Sequence, residues 1–272
     1  MTIHLVAIDI DGTLLNSAKR ITDATARAIA TARQRLGVRV VLATARPPRT
    51  AMPFYRQLKL DTPTINYNGA LVYDPPSGRV IMHRPIWPKT ANSIVSLSRG
   101  MYPEVLVSAE ILDRWYTDRM DGQYMTETGQ IYEPDVVGPV EQWLTQPVTK
   151  LLLLADPDKL LNIARAIRKL IPHQVSIVQT EEYILQIMHV TASKVQALRV
   201  VAGEMGINRE QVMAIGDNSN DVGMLSWAGL AVAMANAVPE AHQAADHICD
   251  HNDADGVAEA INKYLLTTDA AS

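Results

Sequence analysis

Short apolar runs alternate with amphipathic stretches over the first 66 residues, and the same rhythm resumes from about residue 193. Ile3 to Ile8 is apolar and carries β-branched Ile3, Val6 and Ile8, which predicts a strand buried on both faces. Thr22 and Asp23 then offer an N-cap and first-turn charge. Ala28, Ile29, Ala32 and Leu36 follow at helical spacing, and Gly37 supplies the stop. A second buried strand is expected over Val38 to Ala43, a helix opened by Pro47 and Pro48, and a short strand over Thr64 to Asn66. Strand, helix, strand, helix, strand implies parallel pairing through right-handed crossovers.

The rhythm then breaks. Ala70 to Tyr73 and Val80 to His83 flank Asp74-Pro75-Pro76-Ser77-Gly78, a hairpin signal with a long turn. Residues 85–188 read as helix (Lys89 to Arg99), strands (Glu104 to Ser108, Leu112 to Thr117), a Gly- and Pro-containing stretch (Asp121 to Pro139), then strand (Lys150 to Ala155), helix (Asp158 to Leu170) and strands (Gln174 to Gln179, Tyr183 to Met188). From Ser193 come a helix to Met205, the strand Val212 to Ile215, a helix to Trp227, the strand Leu230 to Ala233, a helix from Pro239 and a last helix over Val257 to Leu265. Thr267 to Ser272 reads as a frayed tail. The expected fold class is α/β: a Rossmann-like parallel-sheet core formed by 1–84 and 189–272, with an α+β module inserted at 85–188.

Composition adds exclusions. The 272 residues are 47% hydrophobic, enough for one large domain or two modest ones, and carry a dispersed net charge of -4. No basic stripe suggests nucleic acid and no polybasic helix suggests a membrane surface. A small phosphate-bearing ligand remains compatible, because such sites need only local charge and backbone N–H groups. The single cysteine, Cys249, forms no intrachain disulfide, and the apolar runs are too short to span a bilayer, so a soluble, cytoplasmic protein is expected. Oligomeric state is left open.

Candidate chemistry gathers where the predicted strands end. Asp9-Ile10-Asp11-Gly12-Thr13 closes the first strand, and alternation would throw Asp9 and Asp11 to one side. Two crowded carboxylates call for a metal, a proton-transfer role, or both. A calcium loop is excluded, since Thr13, Leu14 and Leu15 supply no further side-chain ligand. Thr44 ends the second strand; Asp217, Asn220 and Asp221 follow the strand at Val212; Lys194 stands in the first turn of a helix. Singly, these read as a turn, a helix cap and a solvated lysine. Jointly they fall on the carboxyl edge of a parallel sheet, where open α/β folds bind ligands. His242, His247, Cys249 and His251 invite a zinc reading, discounted because the segment from Cys249 looks like a loop. Met205, Met213, Met224 and Met234 read as core filler. Arg114, Trp115, Tyr116 and Arg119 cannot all face one ligand if they alternate along a strand, and packing or surface roles rank first.

The residues resemble the haloacid dehalogenase superfamily, specifically its Cof-like branch with a large inserted α/β cap. The motifs are Asp9-Ile10-Asp11-Gly12-Thr13-Leu14, Ala43-Thr44-Ala45-Arg46, Ser193-Lys194 and Gly216-Asp217-Asn218-Ser219-Asn220-Asp221, with Asp255-Gly256-Val257-Ala258 as the usual C-terminal segment. Ala45 stands where the branch commonly has Gly. The resemblance, specific in the core and loose in the cap, implies a magnesium-dependent phosphatase of small phosphorylated metabolites, sugar phosphates among them, with a cap that closes over the core site. Asp9 would be nucleophile, and Asp11 would move protons. The Asp9 carboxylate, the Asp11 carbonyl and Asp217 would hold magnesium. Thr44, Lys194, Asn220 and the Ile10 and Ala45 amides would hold phosphoryl oxygens, with Asp221 orienting from behind. A sugar phosphomutase differs only in the acceptor that reaches the aspartyl phosphate. A phosphorylation-switched receiver is about half this length and lacks a cap, and an idle binding protein has no use for the intact acids and lysine.

Overall fold

The computed structural model describes residues 2–124 and 128–267; residues 268–272 of the expected tail and 125–127 of the Gly- and Pro-containing stretch lie outside them. The chain divides into two compact units, Met1–Met82 with Ser193–Ser272, and His83–Ala192. The sequence had put the junctions at 84/85 and 188/189.

The elements run β1 (Leu5–Ile8), α1 (Asp23–Leu36), β2 (Arg39–Leu42), α2 (Pro48–Gln57), β3 (Thr64–Asn66), β4 (Leu71–Asp74), β5 (Arg79–His83), α3 (Pro88–Met101), β6 (Leu106–Ile111), β7 (Arg114–Thr117), β8 (Val136–Val137), α4 (Val140–Trp143), β9 (Lys150–Leu154), α5 (Pro157–Leu170), β10 (Val175–Glu181), β11 (Ile184–His189), α6 (Lys194–Glu204), β12 (Val212–Gly216), α7 (Val222–Trp227), β13 (Leu230–Met234), α8 (Pro239–Ala244), β14 (His247–Cys249) and α9 (Gly256–Ile261).

In the first unit, β14-β13-β12-β1-β2 form a parallel sheet, and a parallel bridge from Ala43 to Ile65 leads on to β3 of the sheet β3-β4-β5. Strand alternation splits the apolar side chains between two cores. Val6, Ile8, Val40, Leu42, Met213 and Ile215 pack with α1 and α9 residues such as Ile29 and Ile261. Leu5, Ala7, Val41, Val212 and Ala214 pack with α6 and α7 residues such as Leu198 and Leu225. Both faces are covered, which is why these strands read as continuous apolar runs. The expected caps of α1 are present: Thr22 accepts from the Thr25 N–H, and Gly37 is left-handed. Met213, Met224 and Met234 are fully buried.

The second unit is a sheet ordered β10-β11-β9-β6-β7-β8, antiparallel except for the β7–β8 pair. Val107, Ala109, Leu151, Leu153, Leu185 and Ile187 face one side, packed with α3 and α5. Leu106, Leu152, Leu154 and Ile184 face the other. Alternation separates Trp115 from Tyr116 as expected. The Trp115 indole donates to the Ser108 hydroxyl at 2.7 Å, whereas Tyr116 joins the helix-side core. β6 begins later than expected and its turn falls at Leu112, where φ is 56°.

The expected elements do not include the two-residue strand β8, the short helix α4 or the strand β14. His247–Cys249 forms the edge strand β14, paired to β13, within the segment considered for zinc. His247 stacks on Tyr264, His242 bonds the Met234 carbonyl, and the buried Cys249 thiol faces the Ala233 carbonyl, so these groups are spent separately. Among the described residues, no helix is long and apolar enough to cross a membrane.

Candidate active site

The site is built where β1, β2 and β12 end. The Asp9 N–H still belongs to the sheet, donating to the Ile215 carbonyl at 3.0 Å, but the chain then turns. Leu14 N–H returns to the Asp9 carbonyl at 3.2 Å and Leu15 N–H to that of Ile10 at 2.9 Å. Gly12 sits at φ +79°, and a Cβ there would come within 2.4 Å of an Asp217 carboxylate oxygen. Only glycine lets the turn pass so close to Asp217. The Thr13 hydroxyl then donates to Asp217 Oδ1 at 2.7 Å.

Lys194 opens α6 behind the cap residue Ser193, and its side chain is fully buried. Nζ lies 2.5 Å from Asp9 Oδ1 and 2.7 Å from Asp221 Oδ1. The other Asp221 oxygen accepts the Asp217 and Asn218 N–H groups, each at 3.1 Å. Asp221 therefore has both oxygens committed: it orients Lys194 and shapes the loop that carries Asp217.

Asp9, Asp217 and Asp221 can each place a carboxylate oxygen within 4.8 Å of the others, the one such group of potential ligands among the described residues. Three carboxylates face a single ammonium. Burial raises the pKa of Asp9, Lys194 opposes it, and Asp221 and Asp217 push it further up. Burial likewise raises Asp217 against the Thr13 hydrogen bond, with Asp221 adding to it. Burial alone would lower Lys194, but Asp9 and Asp221 outweigh it and keep the ammonium charged. An all-oxygen set with excess negative charge suits a hard divalent cation.

The crowding expected between Asp9 and Asp11 lies elsewhere. β1 ends at Ile8, so strand alternation does not reach Asp11. The Asp11 carboxylate is instead gripped by Arg46, Nε to Oδ2 and Nη2 to Oδ1 both at 2.6 Å, with Lys19 Nζ at 2.9 Å. Burial works against its ionisation, but Arg46 and Lys19 prevail and hold its pKa below the usual carboxylate value. Arg46 also lies over the Phe54 ring at 5.4 Å. The loop bearing Lys19 is anchored from the C-terminal segment: Asp253 accepts from the Ser17 amide and hydroxyl, and Asn252 Nδ2 donates to the Leu15 carbonyl.

Thr44 is buried, its N–H given to Ile65 at 2.8 Å and its hydroxyl oxygen accepting the Arg46 N–H at 3.1 Å. Its hydroxyl proton is therefore the donor it can offer a ligand. Ala45 is exposed and its φ is not positive, so the backbone here does not require glycine. Ile10 is buried behind Asp9, and Asn220, on the exposed loop after β12, donates through Nδ2 to Asn68 Oδ1 at 2.8 Å. Thr13, Lys19, Arg46 and Asn68 carry no assignment from sequence reasoning. Arg46 was the most findable, a cation two places beyond Thr44 at the same sheet edge; Lys19 and Thr13 are placed by turns.

At the carboxyl edge of this parallel sheet Lys194 thus bridges Asp9 and Asp221 beside Asp217. The profile of a family described as haloacid dehalogenase-like hydrolase matches residues 6–261, and the chain belongs to it. It is an enzyme, a phosphoric monoester hydrolase of the family's Cof-like branch. Two Bacillus subtilis relatives align over nearly their whole lengths. The phosphatase YwpJ is 31% identical, covering 96% of this chain and 99% of its own. The 5-amino-6-(5-phospho-D-ribitylamino)uracil phosphatase YitU is 30% identical, covering 96% and 97%. A haloacid dehalogenase-like hydrolase from Bacteroides thetaiotaomicron superposes with a TM-score of 0.87 at 27% identity, over 96% of this chain and 99% of that one.

Proposed function

We propose that this enzyme hydrolyses small phosphorylated metabolites through an aspartyl phosphate on Asp9, with magnesium as cofactor. The first unit is the catalytic core and the second a cap. The observation that carries the reading is the buried Lys194, which holds Asp9 and Asp221 together beside Asp217. An ammonium so placed keeps the Asp9 carboxylate aimed from the sheet edge and faces the charge of an arriving phosphoryl group.

Asp9 Oδ attacks phosphorus; the bond to the leaving oxygen breaks, and the Asp11 carboxyl gives that oxygen a proton. Asp11, now a carboxylate, takes a proton from the water that attacks the aspartyl phosphate, releasing inorganic phosphate and free Asp9. Arg46 and Lys19 favour ionised Asp11, the state this second half-reaction requires; the first half-reaction requires a proton on Asp11 and therefore a loosening of these contacts once substrate is bound. The Thr44 hydroxyl, Lys194, the Asn220 amide and the Ile10 and Ala45 N–H groups hold the phosphoryl oxygens. The Asp9 and Asp217 carboxylates and the Asp11 carbonyl would hold magnesium, with Asp221 positioning from behind. The bound ion supplies positive charge against the phosphoryl oxygens and relieves the crowding of acids.

For substrate class, sugar and polyol phosphates are favoured by the relative named for a phospho-ribitylamino compound. Hydrolysis of p-nitrophenyl phosphate tests the reading: EDTA should silence it and magnesium restore it. Turnover that persists in metal-free buffer would overturn the cofactor assignment.

A further inference from the structure

The turn after β3 holds three consecutive residues with positive φ: Tyr67 at 49°, Asn68 at 52° and Gly69 at 89°. Only the last is a glycine, so two side-chain-bearing residues stand in a region that such residues rarely occupy. Packing imposes it. Tyr67 is fully buried, its N–H donates to the Arg46 carbonyl at 3.2 Å, and the Asn66 side chain donates to the same oxygen. The Asn68 N–H donates to the Thr44 carbonyl at 2.9 Å. Gly69 lies so close to the start of α6 that a Cβ would come within 2.1 Å of the Ser193 carbonyl oxygen. The Asn68 side chain meets Asn220, Nδ2 to Oδ1 at 2.8 Å. One strained turn thus touches the backbone of the Thr44 loop, the first turn that carries Lys194, and the side chain of Asn220.

We infer that Asn68 is a positioning residue for phosphate binding: its left-handed backbone aims its side-chain oxygen at Asn220, fixing that amide so that its second N–H meets a phosphoryl oxygen. The inference rests on the phosphatase reading above and adds a residue outside the motifs that support it. Asn suits the position because it tolerates αL and offers an acceptor on a short side chain. Without that acceptor, Asn220 stands on an exposed loop with freedom to rotate, and its ordering must come from the ligand.

The test uses the full chain with magnesium and compares Asn68→Gly, Asn220→Ala and the double variant. Glycine adopts φ 52° and ψ 31° without strain, so Asn68→Gly should keep the melting temperature. It should weaken inhibition by inorganic phosphate and raise KM for p-nitrophenyl phosphate by about tenfold, with kcat changed far less. Asn220→Ala should do the same, and the double variant should be no worse than Asn220→Ala alone, because both substitutions remove one interaction. Phosphate affinity within about twofold of wild type in Asn68→Gly, or losses that multiply in the double variant, would overturn the inference. A lower melting temperature with unchanged phosphate affinity would assign Asn68 to folding alone and also overturn it. Wild-type protein that binds and hydrolyses phosphate esters while Asn68→Gly matches it in phosphate affinity and KM fails the inference only; wild-type protein that does neither fails the phosphatase reading as well.

Discussion

The two units use the same period-two logic to different ends. In β1, β2 and β12 both faces of the sheet are buried, so side chains are spent on packing until each strand stops, and the polar groups appear at the stops. Asp9, Thr44 and Asp217 are all first residues beyond a packed strand or within one place of it. In the second unit one face packs on α3 and α5, while the other carries a smaller cluster with Ser108 and Trp115. Its edge strand β10 is largely exposed, with Val178 at 48%. Polar and apolar residues there mix along the strands, and among the described residues no cluster of acids like that of the first unit forms. A parallel sheet with both faces covered channels function to its carboxyl edge.

The contrast is sharpest for Asp9→Asn, which should remove turnover of p-nitrophenyl phosphate by roughly 10⁴-fold or more while the chain stays folded. Substantial residual activity would break the nucleophile assignment. Arg46→Ala comes next: a roughly 10- to 100-fold loss in kcat is expected from a misplaced Asp11, with KM changed little. Alkyl phosphates, whose leaving oxygen needs the proton, should suffer more than p-nitrophenyl phosphate; equal losses on both would show that Arg46 acts on binding instead. In the second unit the expectation reverses. Leu153→Ala should cost about 2–5 kcal/mol, read as a lower denaturation midpoint, yet leave p-nitrophenyl phosphate turnover near wild type well below the transition. A large kcat loss there would tie the second core to the chemistry. The smallest effect concerns Cys249, whose thiol burial pushes up to about 12. It stays protonated at neutral pH, so alkylation should be slow in native protein and fast once the chain unfolds; rapid native labelling would show that β14 opens readily.

The sequence by itself determined the alternation of buried strands and helices in the first unit, the caps of α1, and the short list of acids, threonine and lysine. Those signals are local: apolar runs, capping residues and turn glycines act over a few positions. It also determined that Arg114 to Arg119 could not share one face. Tertiary structure decided which acids crowd which. Asp9 is pressed by Asp217 and Asp221, from loops more than two hundred residues away, while Asp11 is neutralised by Lys19 and Arg46. It decided that Lys194, unremarkable as a sequence position, is fully buried between two carboxylates. The short strand β14 escaped notice because three residues carry too little periodicity to register, and pairing with β13 alone defines it. The left-handed Tyr67 and Asn68 were equally invisible, since nothing local asks a buried tyrosine to adopt that conformation. Strain of that kind is imposed by the contacts of the folded chain, and only those contacts reveal it.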